Sequence, residues 1–259
     1  LALVYTVRYF LSGKNYLRLP RRMSEYRLDW RIAKDSLTVG MGPFLMNSAA
    51  CIVTMFINQQ LSKYGGDLAI GAYGIVNRFT FLFIMVNMGL NQGMQPIAGY
   101  NFGAREYSRV KQVFWLTVIC ASAVSFLGFI VSECCPDIAV SLFTNDPGLM
   151  ALADKGLRMM NIALPLVGFQ MVTTNFFQSL GMVHKSIFLS LSRQLLFLVP
   201  LIYFLPVFFG HKGVWMSFPI ADTISIILSA VMLLMLFRKF RLLNDGDDPS
   251  ILGSKIKQA

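Results

Sequence analysis

Six apolar segments of membrane-spanning length, divided by loops that alternate between rich and poor in lysine and arginine, constrain this chain more than any other feature. They lie at about residues 36 to 62, 68 to 104, 112 to 132, 159 to 183, 186 to 211 and 213 to 237. Crossing a hydrocarbon core of about 30 Å takes roughly 20 mostly apolar residues, and each segment has that reach. Only 14% of the 259 residues are charged, against nearer a quarter in soluble domains. A soluble fold would have to hide several helices that are apolar all round. The expected fold class is therefore an all-α integral membrane protein, a six-helix transmembrane bundle.

Charge placement orients it. Residues 13 to 35 carry seven Lys or Arg, the 101 to 112 loop three, the turn at Lys185 one and the tail after Phe237 five, whereas two of the intervening loops carry only Lys63 and Lys212 and the 133 to 148 loop none. By the positive-inside rule the basic loops and the C-terminus are expected in the cytoplasm, in a multi-pass membrane protein. The net charge of +10 then belongs to a membrane surface, and nucleic acid is not an expected partner, because the basic residues are not interleaved with stacking aromatics. Trp30, Trp115 and Trp215 fall near span ends, where interfacial anchors are expected. The four cysteines lack metal-site spacing and His partners, so no metal is expected and small apolar filler is their expected role.

The opening LALVYTVRYFL resembles the last turns of an earlier span, so residues 1 to 12 are expected to be the end of a truncated transmembrane helix. Residues 13 to 35 follow as a cytoplasmic linker, 36 to 240 as the six-helix lobe, and 241 to 259 as a cytoplasmic disordered tail around the polar run Asp245, Gly246, Asp247, Asp248, Pro249. Pro43, Pro96, Pro165, Pro200, Pro206 and Pro219 fall in spans and are expected to bend them. Residues 68 to 98 alone would reach about 46 Å as a helix. Gly89 with Gly93 and Gly99 with Gly103 form small-xxx-small pairs that permit close helix approach.

Ionisable residues deep in spans are costly and need a reason. Arg78 and Asp222 lie at similar depth, which makes them feasible partners, with Arg193 as a rival partner for Asp222. Such a pair could fix helix packing, or Asp222 could attract a cationic substrate or join a proton relay. Asp154 and Arg158 read as an i,i+4 surface pair. Asn58, Gln59, Asn175 and Gln178 are candidates to line a substrate cavity, since amides orient a ligand without the desolvation cost of a charge; interhelical hydrogen bonding is the alternative. Met46, Met55, Met85, Met88 and Met171 could line a soft pocket or fill gaps. His184 and His211 sit at loop edges and read as solvated.

Several ordered motifs resemble one family. LNQGMQPIAGYNFGAREYSRVKQ at 90 to 112, preceded by DLAIGAYGIVNRF at 67 to 79 and followed by LFTNDPGLMALADKGLRMMNIALP, NFFQSLGMVHKSIFLSLSRQ and GVWMSFPIADTIS, is similar to the C-terminal half of multidrug and toxic compound extrusion (MATE) transporters. The match runs from about residue 36 to 240, helices seven to twelve, with the end of helix six in front. The resemblance implies one lobe of a twelve-helix, two-lobe antiporter that exports cationic amphipathic compounds in exchange for Na⁺ or H⁺ by alternating access. It implies drug-like cations, the lipid bilayer and the N-terminal lobe as partners, and no enzymatic activity or bound cofactor. The coupling carboxylates that one subgroup carries in its seventh and tenth helices have no counterpart here, which places the coupling site in the N-terminal lobe. Gln92, Gln95, Pro96, Gly99, Asn101 and Gly103 form the family motif, expected to shape an inner gate and hinge. A lipid or polysaccharide-precursor flippase of the same superfamily is the alternative, and should show more cations in its cavity. An intramembrane enzyme would need a nucleophile or metal-ligand cluster at mid-depth, which the spans do not offer.

Overall fold

The computed structural model describes residues 8, 29–241 and 245–247, and all regular structure among them is helical. The expected truncated span at 1 to 12 and most of the 13 to 35 linker lie outside the described residues. The chain divides into two units, Leu1–Pro43 and Phe44–Ala259. In the first, Asp29 Oδ1 accepts the Arg31 backbone N–H at 2.9 Å, satisfying a donor that a helix start leaves unpaired. The second unit holds the bundle.

Helix α1 runs Trp30–Gly103 and contains one non-helical residue, Gly66, at φ 68° and ψ −169°. That backbone region is open only to glycine, so Gly66 breaks the run into two arms, 30–65 and 67–103. Ile57 and Leu61 before the break and Ala69, Ala72 and Tyr73 after it belong to one buried cluster, so the arms return alongside one another. The second arm holds helical geometry through Pro96 to Gly103. Pro96 leaves the helical run unbroken, and 37 residues reach about 55 Å.

Next come α2 (Tyr107–Cys134), α3 (Pro136–Ser141), α4 (Pro147–Asn161) and α5 (Leu164–Ser179). Asp146 caps α4 by accepting the Gly148 and Leu149 N–H groups, with Pro147 in the first helical position. The expected fourth span at 159 to 183 is two helices in series. Pro165 sits in the first turn of α5, where its missing N–H costs nothing, and the chain steps at Ile162 and Ala163. Then come α6 (Val183–Leu191), a π-helical segment Ser192–Leu198, α7 (Val199–Phe209) and α8 (His211–Arg241). Pro200 explains the π segment. It cannot donate to the preceding turn and its ring crowds the carbonyl four residues back, so the helix widens before it and Val199 N–H reaches Gln194 O.

Phe44–Gly103, Tyr107–Cys134, Val183–Phe209 and His211–Arg238 are each long and apolar enough to cross a membrane. The first carries two arms, so these stretches by themselves make a multi-pass membrane protein; α4 and α5 in series occupy the expected fourth span.

Two buried clusters occupy opposite poles. One joins both arms of α1 with α3, α4, α7 and the start of α8 around Tyr73, Trp215 and Phe218. The other joins the end of α1 with α2, α5 and the end of α8 around Phe114, Phe176 and Phe240. Trp30 and Trp115 are exposed as interfacial residues should be, but Trp215 is buried, because a β-carbon at Gly156 would sit 2.7 Å from its ring and glycine leaves that seat open. Backbones also approach closely where a β-carbon at Gly213 would lie 2.5 Å from Leu205 O, between α7 and α8, and where one at Gly168 would lie 2.7 Å from Ala121 O, between α2 and α5. Of the expected small-residue pairs only Gly99 meets a neighbour, Ser179 O; Gly89, Gly93 and Gly103 face open space. All four cysteines are exposed rather than packed inside.

Within the expected disordered tail, residues 245–247 are tied down; 248–259 lie outside the described residues. Asp245 accepts from the Ser108 N–H at 2.9 Å and the Ser108 hydroxyl at 2.5 Å, so a distant residue caps α2. Gly246 N–H donates to Arg105 O and the Tyr107 hydroxyl to Asp247 O. The Ser108 hydrogen bonds hold the Asp245 carboxyl below the usual carboxylate range.

Candidate functional site

A cavity of about 200 Å³ opens at the first pole. The arm 67–103 presents Tyr73, Asn77, Thr80 and Ile84 to it, and the other arm Ala50, Val53, Thr54 and Ile57. Both sets follow the i, i+3/i+4, i+7 rule for one helical face. The π segment brings Arg193 and Gln194 to the wall and α8 brings Asp222.

Arg193 Nε donates to Asp222 Oδ1 at 2.6 Å, with side chains 30% and 10% exposed. This ion pair settles the choice between the two arginines. Arg78 is exposed and is not among the cavity-lining residues. The reason is azimuth: 73, 77, 80 and 84 define the inward face, and residue 78 lies about 100° round the helix from 77. Similar depth along a span does not bring two side chains to the same face. The pair ties α8 to the π segment, and neither charge sits alone in the low-dielectric interior.

A second polar connection closes the wall. Thr80 Oγ1 lies 2.9 Å from Val76 O and 3.0 Å from Asn161 Oδ1, sharing its one hydrogen between them. Asn161 Nδ2 donates to Ser132 Oγ at 2.9 Å, and Ser132 Oγ donates to Gly128 O. One buried amide at the end of α4 thus links α1 and α2. Deeper in the bundle, Asn87 Nδ2 donates to Ser125 Oγ at 2.8 Å and Gln170 Nε2 to Ser225 Oγ at 2.6 Å.

The amides expected in a substrate cavity stand elsewhere. Asn58 is half-buried and Gln59 exposed, one step off the face formed by 50, 53, 54 and 57. Gln178 is exposed. Asn175 accepts from Gln95 Nε2 at 3.1 Å and donates to Met171 O. That bond brings a motif residue and a cavity candidate together as a clasp between α1 and α5, reinforced by the close approach of Gly99 to Ser179 O. Asn101 donates to Ile97 O and ends the arm, while Gln92, Pro96 and Gly103 are exposed. None of the five named methionines lines the cavity. Asp154 and Arg158 form the expected i,i+4 pair at 3.4 Å.

Sequence reasoning missed Tyr73, Asn77, Thr80 and Gln194. The polar triplet Ser192–Arg193–Gln194 in an otherwise apolar span, six residues before Pro200, was a signal that the helix there is irregular. Among the described residues no group of three or more His, Cys, Asp or Glu is placed to hold a metal ion.

With this geometry in hand, similarity to known proteins is informative. The MatE family profile matches residues 43–204. The multidrug export protein MepA of Staphylococcus saprophyticus is 24% identical over 237 residues, 92% of this chain and 51% of that protein. MepA of Staphylococcus aureus is 25% identical over 245 residues, with the same coverage. The chain spans about half the length of these curated relatives. Among solved structures, the MATE multidrug transporter DinF-BH, solved as a complex, is 36% identical with a TM-score of 0.75, covering 90% of this chain and 52% of that one. A MATE transporter solved in complex with MaL6 has a TM-score of 0.79 over 93% of this chain and 54% of its own, at 21% identity, which speaks to the fold alone.

Proposed function

This chain belongs to the MatE family, and on that premise we propose that it forms one lobe of a secondary active multidrug exporter, moving cationic amphipathic compounds out of a bacterial cell in exchange for Na⁺ or H⁺ by alternating access. The observation that carries this reading is the family match across most of the bundle, joined to relatives named as multidrug export proteins. The geometry is consistent with it. A cavity of about 200 Å³ is small beside the roughly 300–1,000 Å³ of drug-sized pockets, so this lobe supplies one wall of a larger site.

Within that wall Arg193 and Asp222 cancel each other's charge. The resting lobe then holds no fixed net charge at the cavity from this pair, and a cation arriving there competes with Arg193 for Asp222. The carboxylate that couples export to the ion gradient is assigned to the other lobe. A flippase for pyrophosphate-linked precursors needs free cations in the wall, and the one arginine that lines it among the described residues is engaged by Asp222. The motif around Gln95, Pro96 and Asn101 holds α1 against α5 and serves as the hinge at the inner gate.

The test is cationic dye tolerance in cells producing the whole transporter with Asp222→Asn. Reduced tolerance at unchanged protein level is expected. Unchanged tolerance would remove Asp222 from the transport cycle.

A further inference from the structure

The pole that carries the cavity is poor in basic residues, yet its few are gathered in one place. Apart from Arg193 in the cavity wall and the exposed Arg78, they are Lys63, Lys155, Arg158 and Lys212, and Lys63 stands over the Tyr64 ring at 5.2 Å. The other three, Lys155, Arg158 and Lys212, line a second cavity of about 240 Å³, together with His211. Its floor is apolar, made by Leu152, Met159 and the buried face of Trp215. Asp154, paired with Arg158 at 3.4 Å, draws off part of one charge, which leaves Lys155 and Lys212 as the uncompensated cations, both exposed.

Position sets the chemistry. Lys155 lies on the third turn of α4 and Arg158 on its last, and His211 and Lys212 open α8. The helices α4 and α5 in series cover 147–179, about 50 Å of helix, more than the hydrocarbon core of about 30 Å. Counted back from Ser179, Lys155 lies about 36 Å and Arg158 about 31 Å along the helices, just past a hydrocarbon core of about 30 Å, which puts them at the headgroup level where α8 begins. A cleft at that depth with an apolar floor and a cationic rim matches a molecule with an acyl chain on one side and a phosphate on the other.

We propose that this cleft is a binding site for the headgroup of an anionic phospholipid, with Lys155 and Lys212 contacting the phosphate, Arg158 adding a planar donor, and Trp215, Leu152 and Met159 receiving the first part of an acyl chain. Basic pockets between transmembrane helices bind acidic headgroups in this way. Because the cleft joins α4 to α8, and α8 carries Asp222, a lipid seated there braces the helix that bears the ion pair.

Native mass spectrometry of the delipidated protein, titrated with dioleoyl phosphatidylglycerol or dioleoyl phosphatidylcholine, tests the assignment. The expected result is retention of one phosphatidylglycerol in preference to phosphatidylcholine, with K155Q/K212Q weakening that retention by about thirtyfold, as loss of two surface cations dictates, and K63Q leaving it intact. Inorganic phosphate at the lipid's concentration should not displace it. The proposal is overturned by equal retention of the two lipids, by K155Q/K212Q retaining phosphatidylglycerol as the parent does, by K63Q losing it equally, or by displacement with phosphate, which would mark a soluble anion as the ligand. The melting temperature of each variant in phosphatidylcholine shows that it is folded, and R158Q, read in the same way, serves if the double variant is not.

Discussion

The two poles of the bundle are built from the same kinds of residue but packed to different ends. The pole around Phe114 holds its helices with rings: Phe114 and Phe176 lie 4.6 Å apart, Phe237 meets Phe114 edge-on, and Tyr107 and Phe240 close the end. It is further tied by the Gln95–Asn175 clasp and by Asp245 capping α2. The pole around Trp215 has its own apolar cluster, with Tyr73 stacked on Phe218, but it encloses a cavity, adds an ion pair and a shared amide to its apolar contacts, and passes one of its spans through a π segment. Dense apolar packing has one low-energy arrangement, whereas polar contacts around a cavity can be exchanged for others at similar cost. The Phe114 pole is built to hold and the Trp215 pole to rearrange.

The sharpest break of this comparison comes from Phe176→Ala. A fully buried aromatic removed from a dense cluster should cost about 3–5 kcal/mol, read as a large drop in melting temperature in detergent. A small drop would mean that the aromatic pole is not the anchor. Asp222→Asn should follow at about 3 kcal/mol, because it leaves Arg193 with its charge and no counter-ion. Adding Arg193→Gln should recover most of that loss, and a double variant no better than the single would show the pair is not coupled. Asn161→Ala removes the link between the Thr80 and Ser132 hydroxyls, each of which keeps the carbonyl of its own helix, and should cost about 1 kcal/mol; it should also weaken protection of α4 amides from hydrogen exchange while leaving those of α5 near Phe176 unchanged.

The smallest effect belongs to the Asp245 cap. Its carboxyl is held below the usual range by Ser108, so its contribution is present above the ordinary carboxylate pKa and is lost as pH falls through the lowered folded value. Hydrogen exchange at the Ser108 amide, corrected for its intrinsic pH dependence, should lose protection in acid. Asp245→Asn should show the reduced protection already at neutral pH.

How far the sequence disclosed this arrangement follows from what each signal encodes. Apolar length revealed the crossings, since a span is defined by composition along one dimension. It did not reveal that the fourth crossing steps at Ile162 and Ala163, because a break between two apolar helices leaves hydropathy unchanged. Depth brought Arg78 and Arg193 forward as rivals for Asp222, but the choice depends on azimuth, which needs the face occupied by Tyr73, Asn77 and Thr80. Prolines marked irregular backbone, yet Pro200 widened the preceding turn into a π segment, Pro165 started a helix and Pro96 left α1 unbroken. The family motifs pointed to the lobe, while the meeting of Gln95 with Asn175 is a tertiary contact between residues 80 apart.

Transport itself is the most direct test of the account. The whole protein containing this chain, reconstituted into vesicles with an imposed Na⁺ or H⁺ gradient, should move a cationic dye against its concentration when the gradient is present and stop when it is collapsed. Dye movement indifferent to both gradients, or none at all from correctly folded protein, would contradict it.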